Sequence, residues 1–189
     1  MSFFRRGGLG RVLLETVDLD GYGLNDIDFQ TGINDTYTKY EIEFEDVKRI
    51  GASAGGSLLT LQIRIGGILQ TSGGQYYWRR SSESSSGPAT APVITGLYGA
   101  GVTNAGFLVH GDTGLGGSGT ITLYRPRTAS TNHRFSFVSQ FTHNSGGSMT
   151  ERFNGGGTTS FPGGDLDGIR LTWSYFSIAT GFVKLYGIT

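Results

Sequence analysis

The sequence predicts an all-β fold, an antiparallel two-sheet sandwich of jelly-roll type with about ten short strands. Apolar and polar residues alternate with a period of two in Tyr37 to Val47, in Leu58 to Ile65 and again in Ile169 to Ser174 and Phe182 to Tyr186. That period places successive side chains on opposite faces of a strand. No segment of about ten residues or more sustains the 3.6-residue spacing of an amphipathic helix. Glycine supplies 33 of the 189 residues, against a usual ~7%. The surplus has no collagen period and indicates many tight turns between short strands.

Met1 to Gly10 precedes the first alternating segment and reads as a flexible arm carrying Phe3, Phe4, Arg5 and Arg6. Residues 11–189 then form a single domain, a length that suits one sandwich. Leu13 to Val17 is a first strand ending at the turn Asp18-LDGYG. In Tyr37 to Val47, Tyr40, Ile42, Phe44 and Val47 face inward while Glu41, Glu43 and Glu45 face solvent. The loop Ile50-GASAGGS leads to Leu59, Leu61, Ile63 and Ile65, alternating with Thr60, Gln62 and Arg64. Two such strands joined by a glycine-rich loop are expected to pair antiparallel. Gln75-YYWRR reads as a further strand, and the low-complexity Ser81-SESSSGP as a loop. Strands follow at Phe107 to His110, Thr120 to Tyr124, Arg134 to Phe141 and Met149 to Phe153. Gly114-LGGSG, Ser145-GGS, Asn154-GGG and Pro162-GGDLDG read as the turns between them. Near the C-terminus, Ile169, Leu171 and Trp173 face one way, and Val183 and Leu185 alternate against Phe182, Lys184 and Tyr186. The short connection ending at Gly181 makes these two segments an expected β-hairpin.

Composition narrows the function classes. Lys plus Arg and Asp plus Glu number 15 each, so the basic excess of a nucleic-acid binder is missing. The chain has no cysteine, which removes disulfides, thiolate nucleophiles and cysteine zinc sites. Its start lacks the apolar core of a signal peptide, and no run approaches ~18 apolar residues. Synthesis in a cytoplasm without export signal or membrane insertion is the expectation.

Several segments together resemble small structural proteins of tailed bacteriophages and their prophages. The terminal Ile169-Arg170-Leu171 … Gly181 … Lys184-Leu185-Tyr186-Gly187-Ile188 is similar to that family's C-terminal signature. Leu13-Leu14-Glu15-Thr16 matches a first strand, and Asp28-Phe29, Thr31-Gly32-Ile33, Tyr37, Tyr40, Ile42, Phe44 and Val47 match a second unit. Leu58-LTLQIRI and Thr71-SGGQYYW follow as they do in that family. The likeness covers most of the chain; Arg79 to Gly106 and Gly114 to Gly119 depart from it. It implies a non-enzymatic virion component on the particle's outer surface: tail fibre, tail tip, head fibre or capsid decoration. Other virion proteins of the capsid or tail are the implied partners, with host-surface attachment as an additional role and a host surface glycan as a second candidate partner. A homotrimer is the favoured assembly, since particle proteins meet symmetric neighbours. The N-terminal arm, through Phe3, Phe4, Arg5 and Arg6, is the candidate anchor. A jelly-roll carbohydrate-binding module outside any virion is the alternative.

Motifs with catalytic precedent lack their required context. Gly51-Ala52-Ser53-Ala54-Gly55 fits G-x-S-x-G, yet a strand follows it where a nucleophile elbow needs a helix. Gly114-LGGSG fits G-x-G-x-x-G, again ahead of a strand. Asp18-LDG and Asp165-LDG open like calcium loops but do not continue the ligand series, and turns account for them. His110, His133 and His143 share no metal spacing. No metal and no cofactor are expected. Tyr76-Tyr77-Trp78-Arg79-Arg80 is the one cluster with recognition character, since aromatics stack on sugar rings and arginine adds directed hydrogen bonds. Tyr76, Trp78 and Arg79 are therefore the candidate binding residues. Core or subunit packing is the competing role, because alternation puts Tyr77 opposite Tyr76 and Trp78.

Overall fold

Alternation becomes two stacked antiparallel sheets in the computed structural model, which describes residues 10–20, 24–30, 32–34, 36–49, 57–71, 76–86, 93–102, 105–109, 117–124, 133–143, 149–159, 164–173 and 178–189. Among the described residues there are thirteen strands. They are β1 (Arg11–Asp18), β2 (Asp26–Phe29), β3 (Lys39–Arg49), β4 (Ser57–Ile65), β5 (Ile68–Leu69), β6 (Tyr76–Ser86) and β7 (Val93–Val102). The remainder are β8 (Ala105–Val109), β9 (Gly117–Tyr124), β10 (Arg134–His143), β11 (Met149–Thr159), β12 (Leu166–Trp173) and β13 (Ile178–Ile188). The large sheet has eight strands in the order β1-β13-β3-β9-β10-β11-β6-β7. The small sheet has five, ordered β2-β12-β4-β5, with β8 also paired to β4. The all-β, two-sheet sandwich is thus present, with eight strands beside five where a simple jelly roll needs eight in all.

One core lies between the sheets. The large sheet contributes Tyr40, Ile42, Phe44, Ile121, Leu123, Phe135, Phe137, Val183 and Leu185; Ile27, Phe29, Leu61, Ile63, Ile169 and Leu171 oppose them from the small sheet. The period-two residues of β3 are therefore inward as expected. Val47 is inward although it stands three positions after Phe44, because β3 carries an extra residue there: Phe44 pairs with Gly119 and Val47 with Gly117. Asp46 takes the left-handed conformation at this bulge, with φ of 49°. Gly181 of the neighbouring β13 matches it with φ of 114°, and a Cβ there would lie 2.7 Å from the Glu45 carbonyl oxygen. Only glycine fits that position.

Four expectations change. The terminal segments are not a hairpin: β12 pairs with β2 and β4 in the small sheet, while β13 pairs with β1 and β3 in the large one. Likewise β3 and β4 do not pair but lie in opposite sheets. In both cases consecutive strands lie in opposite sheets, and their inward side chains join the one core. The serine-rich 81–86 stretch is no loop; it continues β6, paired to β11 on one side and to β7 over Ser81–Ser84 on the other. Backbone ladders on both flanks hold it extended whatever its composition suggests. Asn154-GGG is no turn either, but the middle of β11. Gly155 stands opposite Phe137 and Gly157 opposite Phe135, each beside a buried aromatic residue of the neighbouring strand. Covering a strand glycine with a neighbouring aromatic is a known stabilising device.

Candidate functional site

The sequence-predicted recognition cluster divides between core and surface. Tyr76 is fully buried, which removes it as a displayed ligand contact. Its hydroxyl accepts from the Ile63 amide at 2.9 Å and donates to the Gln70 carbonyl at 3.0 Å. Ile63 also accepts from the Gln70 amide. The phenol therefore sits where β4 and the end of β5 would make their next ladder bond, and it ties β6 of one sheet to β4 of the other. Burial raises its pKa well above the usual phenol range, partly opposed by the Ile63 hydrogen bond. Trp78 and Arg79 occupy β6 opposite Gly157 and Gly156 of β11. Phe3, Phe4, Arg5 and Arg6 lie outside the described residues.

Tyr77, which sequence reasoning left out of its site, faces outward and is 44% exposed. Strand register places it at the end of a lateral row across the outer face of the large sheet. Lys39 is opposite Tyr124, Tyr124 opposite Arg134, Arg134 opposite Thr158 and Thr158 opposite Tyr77. The adjacent row runs Glu41, Thr122, Ser136 and Gly156. Tyr124 is 40% exposed, and its hydroxyl shares a 3.0 Å hydrogen bond with Ser136 on the diagonal. That bond lays the ring across the sheet face. Only the register of five strands assembles this row; no local motif signals it.

Charge on this face is segregated. Towards β1, Arg11 meets Glu41 at 3.3 Å and Glu43 at 2.9 Å, and its guanidinium lies 3.6 Å from the Tyr186 ring centre. Lys184 binds Glu45 at 2.6 Å. Lys39 and Arg134, on either side of Tyr124, have no ion-pair partner among the described residues.

The other polar clusters are structural in form. On the small sheet Asp28 receives Arg170 at 2.6 Å and Arg64 at 3.0 Å. Burial pushes its carboxyl upward, but the hydrogen bonds and charges of the two arginines outweigh this and hold it below the ordinary range. Asp18 accepts from the Asp20 amide at 3.0 Å, a local turn. Asp167 lies inside β12 at a bulge and accepts from the Gly67 amide, so the second Asp-Leu-Asp-Gly is strand and not turn. Among the described residues no group of three His, Asp or Glu is placed to hold a metal ion. His133 is buried just before β10; its ring nitrogens make no well-formed hydrogen bond, while the Gly164 backbone and the Asp165 charge lie near enough to favour its protonated form. Gly51 to Gly55 lie outside the described residues, and strands β3 and β4 flank them. Comparison of the chain with family models, curated proteins and solved structures finds no match.

Proposed function

We propose that this protein is a non-enzymatic structural component of the outer surface of a tailed-bacteriophage particle. One observation carries the reading. The segments that resemble phage structural proteins are far apart in sequence, yet three of them lie side by side as β1, β13 and β3 at one edge of the large sheet. Leu13 is opposite Tyr186, and Tyr186 is opposite Glu41. A fourth, β4, packs its Leu61 and Ile63 into the same core, to which the fifth contributes Tyr76 of β6. Separate motifs that converge on one structural unit support a shared architecture better than any of them does alone. On this reading the arm containing Phe3, Phe4, Arg5 and Arg6 anchors the domain to the particle or to a neighbouring subunit, and copies assemble as trimers.

The test is cryo-electron microscopy of purified particles, with antibody labelling of this chain. Density for the sandwich on the capsid or tail exterior is expected; particles that lack the chain would sink the proposal. Carbohydrate binding is the second reading, favoured by the exposed Tyr77 and Tyr124 on a broad sheet face.

A further inference from the structure

We infer that the row Lys39, Tyr124, Arg134, Thr158 and Tyr77 is a binding site for an acidic polysaccharide, one bearing carboxylate or sulfate groups. The inference deepens the attachment role and rests on that reading for its biology, though not for its chemistry. Strands in a sheet are spaced about 4.8 Å apart, so three steps separate Tyr77 from Tyr124 by roughly 14 Å. Between these aromatic rings stand Arg134 and Thr158 of the same row, with Ser136 and Gly156 beside them. Gly156 cannot carry a side chain without disturbance, because a Cβ would lie 2.7 Å from the Phe135 carbonyl oxygen. The backbone packing of β10 and β11 thus keeps the floor open. The result is an open sheet face with a tyrosine at either end and Arg134 between them, an arrangement that offers sugar rings two stacking faces and a cation within one short span.

Charge selects the ligand class. Arg134 is exposed and Lys39 half-buried, and they flank Tyr124 about 10 Å apart, two strand steps. Both lack ion-pair partners among the described residues, whereas Arg11 and Lys184 on the same face are engaged by glutamates. A guanidinium offers a carboxylate or sulfate a planar bidentate fork, and the ammonium adds a point charge. A nucleic-acid strand fits less well. Lys plus Arg and Asp plus Glu number 15 each, so the basic excess that holds a continuous phosphate backbone is missing.

Isothermal titration of the purified full chain with sodium polygalacturonate and with chondroitin sulfate tests the site, beside neutral dextran and oligo-dT. At least one acidic polysaccharide should bind, dextran and oligo-dT should not, and added salt should weaken binding. Arg134→Ala and Tyr124→Ala should each lower affinity by about tenfold or more, with the melting temperature of Arg134→Ala unchanged. Four results would overturn the inference: no binding of either acidic polymer, equal binding of dextran, equal binding of oligo-dT, or wild-type affinity in both variants. Because the titration needs no particle, its failure is separable from failure of the virion proposal. A chain found on particles that binds neither polymer refutes this inference alone.

Discussion

At the scale of single residues, Tyr76 shows how one hydroxyl can hold two sheets together. Its oxygen satisfies at once the buried Ile63 amide of β4 and the Gln70 carbonyl just past β5. Replacing it with phenylalanine keeps the ring and strands both groups without water. Tyr76→Phe should therefore destabilise the protein by about 1–3 kcal/mol, read as a lower urea midpoint with unchanged slope. A wild-type midpoint would show that the chain re-pairs those groups. Sequence alternation correctly separated Tyr76 from Tyr77, yet it could not say which of the two faced the core. An aromatic pair in a strand is symmetrical in that respect. The side that packs is decided by which sheet passes over it, and that information lies in β4, not in the segment itself.

At the scale of elements, period two was legible wherever it mattered, and the inward residues of β3, β4, β12 and β13 stand where alternation put them among the described side chains. What alternation does not encode is the partner. A strand with one apolar face is equally served by a neighbour beside it or a sheet opposite it. Glycine was the second ambiguous signal. Many glycines were read as turns, and Gly66 and Gly67 between β4 and β5 do have positive φ of 59° and 76°. Others lie in mid-strand opposite phenylalanines: Gly119 opposite Phe44, Gly157 opposite Phe135 and Gly155 opposite Phe137. A Cβ at Gly119 would fall 2.5 Å from both the Phe44 ring and the Val138 carbonyl oxygen. Gly119→Ala should thus overpack the core and cost about 1–3 kcal/mol by urea unfolding. An unaffected or stabilised variant would mean that the ring moves freely, and the account of strand glycines would be wrong.

At the scale of the whole molecule, pH dependence follows from three groups. Burial lowers the His133 pKa from its ordinary 6.5, with the Gly164 backbone and the Asp165 charge opposing. The folded state then binds fewer protons than the unfolded one below that value, so stability declines as pH falls from about 6.5 towards the folded pKa. Asp28 acts in the same direction further down: its depressed pKa adds stability above the ordinary 3.8, lost as pH falls through the folded value. Glu15 acts oppositely, since burial raises its pKa and acid relieves the buried charge. Thermal melts between pH 7 and 5 should show a falling melting temperature, and His133→Gln should flatten that slope. A slope unchanged in the variant would remove His133 as its cause.

The position of β13 has a consequence for how the molecule comes into being. It is wedged between β1 and β3 although most of the chain separates it from both. The large sheet cannot close until that distant segment arrives, and every residue of intervening chain must first be gathered at an entropic cost. Such non-local topologies fold in roughly milliseconds to seconds, not microseconds. During that wait β1 and β3 expose unpaired edges to other copies of the same chain. Recovery from denaturant should therefore compete with self-association, and dilution should favour the monomer's own β13 over its neighbour's.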